Sequence, residues 1–237
     1  MVYVDLSNPC LRDFFPNWLL THEAALDRIR AWLPAWAEAS RQSEAAQACL
    51  EGRLPRPLAA VFDIDEVLLC NIHLNGFTAP AGAQGPDPID FHIADFFVDR
   101  ASGGSWVRDD PGDPPLPGAN ALLAAAVALS LRPFFVTGRL ESIRDITVED
   151  FRRAGFTRSE LALDAPLAAA DLATSLTMCP VEEHPPPGWS IRPWKEGCRA
   201  AIGKYYRIAL NVGDQMSDFG LHGDRQIYLP HPFYTTI

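Results

Sequence analysis

Lysine is almost missing from this chain: Lys195 and Lys204 stand against eighteen arginines in 237 residues. Any chemistry that needs an ammonium group therefore falls to one of two positions. Long apolar runs are missing as well, and none nears the ~20 residues that a membrane-crossing helix requires. Met1 to Leu20 carries Asp5, Pro9, Arg12, Asp13 and Pro16 where a secretory signal has a basic start and an apolar stretch, so a cytoplasmic protein with no membrane partner is expected. A basic excess is lacking too. The net charge of −10 argues against a nucleic-acid polymer, which needs a basic face to release counterions, though not against a small anion in a local positive pocket. The five cysteines (Cys10, Cys49, Cys70, Cys179 and Cys198) form no C-x-x-C pair. Buried thiols in a reducing compartment are expected, not a disulfide framework, and none of the five has a catalytic motif around it. The six histidines show no metal-ligand spacing.

What is present reads as an α/β protein. Hydrophobic residues at 48% and charged residues at 21% suit a soluble globular chain long enough for one substantial core. Residues 1–54 read as an N-terminal helical segment packed on a core formed by residues 55–237. In that segment a helix is expected from Thr21, as cap, to about Leu50, ended by Gly52 and kinked or divided at Pro34. Leu58 to Phe62 suits a buried strand. Gly and Pro then crowd residues 75–118, read as an insertion that elaborates a site, with Phe91, His92, Phe96, Phe97 and Trp106 between the breakers. Helices follow at Ala119–Leu131, Ser142–Ala154 and Lys195–Tyr206, and strands at Pro133–Val136, Ile208–Val212 and Gln226–Leu229. Residues 157–189 give no clear pattern. Strands alternating with helices indicate a parallel sheet with right-handed crossovers.

Three of these strands end in polar clusters: Asp63 with Asp65, Thr137-Gly138-Arg139, and Asp214 with Asp218. Ligands of open α/β sheets bind beyond the carboxyl ends of the strands, so the three clusters should converge. Converging carboxylates repel one another unless a hard cation joins them, and magnesium fits: it prefers oxygen ligands and bridges to phosphate. One carboxylate can then attack phosphorus while a second protonates the leaving oxygen and later takes a proton from water. Thr137 and the amides near Gly138 can bind phosphoryl oxygens. The helix before the Ile208 strand runs antiparallel to it, so its start lies at the site. That favours Lys195 over Lys204, which sits about 13–14 Å further along at 1.5 Å per residue.

Four segments in order, Asp63-Ile-Asp-Glu-Val-Leu-Leu-Cys-Asn71, Phe-Phe-Val-Thr137-Gly-Arg, Trp-Lys195-Glu-Gly-Cys-Arg199 and Gly-Asp214-Gln-Met-Ser-Asp218-Phe-Gly, resemble the motifs of the haloacid dehalogenase (HAD) superfamily. The first and last, with Leu116-Pro-Gly118-Ala, are similar in particular to its subfamily IIIB of acid phosphatases: class B, class C and the plant vegetative storage proteins. The resemblance implies a Rossmann-like three-layer α/β/α sandwich with a central parallel sheet, a small insertion and no large cap domain. It implies Asp63 as nucleophile and magnesium ligand, and Asp65 as acid/base that also binds metal through its backbone carbonyl. Asp214 is implied as a metal ligand, Asp218 as support for the metal shell or Lys195, and Thr137 and Gly138 as phosphate-binding groups. Arg139 divides evenly between substrate contact and a structural ion pair, and Trp106 is a candidate for the substrate side. The expected activity is magnesium-dependent hydrolysis of a small phosphomonoester, nucleoside monophosphates included. Alternatives are a phosphotransferase or mutase, a phosphoacceptor signalling module (whose motif order differs), and a non-catalytic storage protein, against which the presence of Asp63 argues.

Overall fold

All five side chains of β1 (Leu58–Phe62) are buried. Their alternation divides the core: Ala60 and Phe62 enter one apolar cluster, Ala59 and Val61 the other. A strand covered on both faces is apolar throughout, which is why this one is legible as an unbroken run. The structure is a computed structural model that describes residues 9–70 (side chains from Trp18 onward), 115–156, 175–180 and 190–229. β2 (Arg132–Leu140) and β4 (Arg207–Gly213) flank β1. β3 (Leu176–Cys179) lies outside β2, and β5 (Gln226–Tyr228) outside β4. Every pairing is parallel, in the order β3-β2-β1-β4-β5. The direction of strand addition reverses beside β1, so the sheet opens a crevice at the carboxyl ends of β1, β2 and β4.

Helices cover both faces. α1 (Pro9–Glu51), α2 (Ala119–Ala128) and α3 (Arg144–Arg153) supply Leu26, Leu33, Leu122 and Phe151 to the cluster around Phe62 and Phe135. α4 (Ile191–Tyr205) brings Ile202 to Val61 and Phe134 on the other face. The layers are those of a three-layer α/β/α sandwich, as expected.

The N-terminal helix corrects the sequence reading. Thr21 lies inside α1, not at its start, and α1 runs through Pro34 without division. Leu26, Ile29, Leu33, Ala37, Ser40 and Glu44 recur every three or four residues as its buried stripe, whereas Pro34 sits on the solvent face. There the carbonyl deprived of its partner can turn to water, so packing of the stripe outweighs the break. Gly52 ends the helix as expected, with φ 65° and the Arg53 N–H returning to the Ala48 carbonyl at 3.0 Å. β3 emerges from the stretch that has no clear pattern. Of the thiols expected to be buried, Cys70 and Cys179 are, but Cys49 is exposed. Most of the 75–118 segment, with Trp106 and its aromatic neighbours, lies outside the described residues. No helix among the described residues is long and apolar enough to cross a membrane.

Glu44 fastens the end of α1 to the sheet. Arg56 donates to it from Nε at 3.0 Å, from its backbone N–H at 2.9 Å and from Nη2 at 2.9 Å, and Arg53 Nη1 donates at 2.6 Å. Arg207 at the start of β4 joins at 3.5 Å and pairs with Asp224 at 2.7 and 2.8 Å; Ser40 of α1 also donates to Asp224, at 2.6 Å. Hydrogen bonds from Arg56, opposed by burial and reinforced by Arg53, hold the Glu44 carboxyl well below its ordinary value of 4.5. A depressed carboxyl contributes stability in full above that value and loses it as the pH falls towards the folded-state pKa. Glu44→Gln should therefore lower stability by about 2–3 kcal/mol at pH 7. In urea titrations the gap from wild type should narrow at pH 3, and a gap that stays constant would contradict the ion-pair account.

Candidate active site

β1 delivers Asp63 to the crevice. Its N–H continues the ladder to the Val212 carbonyl at 3.0 Å, and its Oδ1 accepts the Ile64 N–H at 2.9 Å. The chain then curls at once. The Ile64 carbonyl accepts the N–H groups of Leu68 and Leu69 at 2.9 and 3.0 Å, and Glu66 takes a left-handed φ of 55°. For a non-glycine residue that conformation costs on the order of 1 kcal/mol. It is held by the bond from the Glu66 N–H to the Leu69 carbonyl at 2.8 Å, and by His22 Nε2 of α1, which donates to the Glu66 carbonyl at 3.0 Å.

β4 contributes the second group. Gln215 Nε2 donates to Asp214 Oδ2 at 3.0 Å, and the Gln215 N–H donates to Asp218 Oδ2 at 3.0 Å. The glycine that ends β4 has a steric reason. A Cβ on Gly213 would stand 2.2 Å from the Asp218 Cβ, whereas one on Gly220 would meet only the movable carboxylate end of Glu196. On β2, Thr137 is fully buried and its Oγ1 accepts the Arg139 N–H at 3.1 Å. The pairing with β3 shifts between Thr137 and Leu140, a bulge that re-aims the backbone at Gly138 and Arg139.

Lys195, in the second turn of α4, ties the first two groups together. Its Nζ donates to Asp63 Oδ2 at 3.1 Å and to Asp218 Oδ1 at 2.6 Å, and the side chain is buried. Asp63, Asp214 and Asp218 each offer one carboxylate oxygen to a cluster in which all three lie within 4.8 Å of one another. Burial, then the charge of Asp218, raises the Asp63 carboxyl well above its ordinary value; Lys195 opposes this, while Asp214 and Asp65 add to it. Burial and Asp218 likewise push Asp214 up to about 7, against Lys195. For Lys195 burial works downward, but Asp218 and Asp63 outweigh it, so the ammonium is held above its ordinary value and stays charged. Three buried carboxylates face two buried cations, Lys195 and, 3.5 Å from Asp218, Arg199, and so leave an excess of negative charge. The all-oxygen donor set suits a hard divalent cation, which would relieve that excess.

Asp65 sits differently. Its carboxylate is turned to Arg139, whose Nε reaches Oδ1 and Oδ2 at 2.9 and 3.2 Å and whose Nη2 reaches Oδ1 at 2.6 Å. The far edge of the same guanidinium donates to Asp150 Oδ2 at 2.9 Å and lies 3.5 Å from Thr147 Oγ1. Arg139 is fully buried in this pairing. The structure thus brings together Asp63, Asp214, Asp218 and Lys195, and joins Asp65 to Arg139. Thr137 and Gly138 stand at the end of the neighbouring strand, and Trp106 lies outside the described residues.

Sequence reasoning missed a supporting set. Arg199 donates from Nε to Asn211 Oδ1 at 3.2 Å and from Nη1 to the Ser217 carbonyl at 3.3 Å, and its Nη2 stands 3.5 Å from Asp218. Asn211 in turn donates to the Asp218 carbonyl at 2.7 Å. One signal was available, since Arg199 follows Lys195 by four residues and so shares its helix face. Nothing in the sequence separated Asp150 from the surface charges around it. The Cys198 thiol is pushed up to about 11, mainly by burial, which makes it a poor nucleophile.

The family model described as HAD superfamily, subfamily IIIB (Acid phosphatase) matches residues 35–237. Among solved structures, the class C acid phosphatase from Bacillus anthracis aligns over 92% of this chain and 85% of its own, with a TM-score of 0.50 at 19% identity, a likeness of fold. A structure of the class C acid phosphatase from Bacillus anthracis with tungstate bound aligns over the same shares, with a TM-score of 0.47 at 18% identity. The comparison with curated proteins finds no match. With its four motifs placed around one crevice and the family match spanning most of its length, the chain belongs to the haloacid dehalogenase superfamily, subfamily IIIB, the acid phosphatases.

Proposed function

We propose that this phosphatase is a magnesium-dependent hydrolase of small phosphomonoesters that works through a phosphoryl group carried on Asp63. The observation that carries the reading is the buried Lys195 ammonium, held between Asp63 and Asp218 with Asp214 beside them. A carboxylate so placed has its charge balanced and its orientation set, as an attacking group requires.

Asp63 attacks phosphorus, and the bond from phosphorus to the leaving oxygen breaks with its electron pair on that oxygen. Asp65 passes a proton to the leaving oxygen. The Asp65 carboxylate then takes a proton from a water that attacks the phosphorylated Asp63, the bond to the Asp63 oxygen breaks, and inorganic phosphate and the free carboxylate result. The Thr137 hydroxyl and the Gly138 backbone hold phosphoryl oxygens, and Lys195 offsets their charge. Asp63, Asp214 and the Asp65 carbonyl would hold magnesium, with Asp218 fixing Lys195 behind them; the ion supplies positive charge where the phosphoryl oxygens gather.

Asp63→Asn should lower kcat on an aryl phosphate by about a thousandfold or more, with circular dichroism unchanged, because it removes the attacking group while keeping its shape. A rate within tenfold of wild type would sink the mechanism. Millimolar magnesium should raise the melting temperature of the wild-type protein by about 3–6 °C over EDTA, and that shift should be lost in Asp214→Asn. An equal shift in both proteins would place the ion elsewhere.

A further inference from the structure

Arg139 has two ends, and the reaction uses only one of them. Its Nε and Nη2 grip the Asp65 carboxylate, while its Nη1 is held from behind by Asp150 Oδ2 at 2.9 Å, with Thr147 Oγ1 at 3.5 Å. Both rear groups belong to α3, which packs through Phe151 onto Phe135 of β2, with ring centroids 5.1 Å apart. We propose that Asp150 is a positioning residue for proton transfer: by fixing the rear of the Arg139 guanidinium, it sets where Arg139 holds the Asp65 carboxylate.

Burial makes the linkage stiff. The Arg139 side chain is 0% exposed and that of Asp150 1%, against 13% for Asp65. Only the Asp65 end of the chain of contacts meets solvent. At the other end both side chains are shut off from bulk solvent. A guanidinium is a planar fork whose donors diverge in fixed directions, so an anchor on one edge fixes the direction of the other. Without Asp150 the fork can rotate towards whatever acceptor remains, and it carries the Asp65 carboxylate with it. A displacement of ~1 Å is enough to spoil a proton transfer that needs a separation of ~3 Å.

The inference rests on the reading of Asp65 as acid/base, and its effect is selective. A misplaced Asp65 fails to protonate the leaving oxygen, which matters for a poor leaving group and hardly for a good one. A purely structural ion pair between β2 and α3 would affect both substrates alike. The test compares kcat/KM for phenyl phosphate and for 2,4-dinitrophenyl phosphate, in wild type and in Asp150→Asn, with magnesium present. Asp150→Asn should lower the first by about 10–100-fold and the second by less than about threefold. Equal losses on the two substrates, or no loss on either, overturn the role of Asp150. A wild-type enzyme that already strongly prefers the dinitrophenyl ester overturns the reading of Asp65 itself. If Asp150→Asn does not fold, Asp150→Ser leaves room for a water beside Nη1 and is held to the same ratio.

Discussion

The ammonium of Lys195 between Asp63 and Asp218 is the contact on which the rest of the structure depends. At an effective dielectric of about 20, two unlike charges this close attract by roughly 5 kcal/mol, and two carboxylates at the spacing of this cluster repel by roughly 3–4. The attraction to Lys195 offsets the repulsion among the carboxylates while a net negative charge remains, and neither the lysine nor the carboxylates could be buried here alone. That arrangement needs three elements to end at one point. The parallel register beside β1 brings the ends of β1 and β4 together, and the start of α4 arrives over them. Gly213 allows the chain after β4 to close in, where a side chain would collide with the Asp218 Cβ.

Behind this contact, cations of a different kind do the bracing. Arg139 stands behind Asp65 and Arg199 behind Asp218, both buried. A guanidinium suits such duty because its fork engages several acceptors at once in fixed directions, whereas a compact ammonium suits the place beside a group that must react. The scarcity of lysine in the chain acquires a structural sense here. One of its two lysines lies against Asp63, and arginines do the bracing around it. Further from the chemistry, Arg53, Arg56 and Arg207 fasten α1 to the sheet through Glu44.

Much of this was legible from sequence because it is local. The runs at Leu58–Phe62 and Arg207–Gly213 end in acidic residues within two or three positions, so strand, turn and carboxylate can be read together. Lys195 could be chosen over Lys204 from helix direction alone. Other parts were hidden because they are tertiary. β3 is a four-residue edge strand, Leu176–Cys179, too short for any periodicity to show. α1 extends past Thr21 and through Pro34 because packing of its buried stripe against the sheet outweighs local breaking tendencies, and that packing joins residues far apart in the chain. The two-ended pairing of Arg139 joins residues 65, 139 and 150, and no spacing rule links those positions. The even division between substrate contact and ion pair in the sequence reading of Arg139 reflects that gap; the geometry adds the ion pairs.

The central claim is that phosphate passes through Asp63. It is tested most directly by acid-quenching the enzyme during turnover, reducing any acyl phosphate with borohydride, and locating the resulting homoserine by peptide mass spectrometry. The account predicts the reduced residue at position 63, formed only when substrate is present. Reduction at another carboxylate, or none in an enzyme quenched while releasing phosphate, would contradict it.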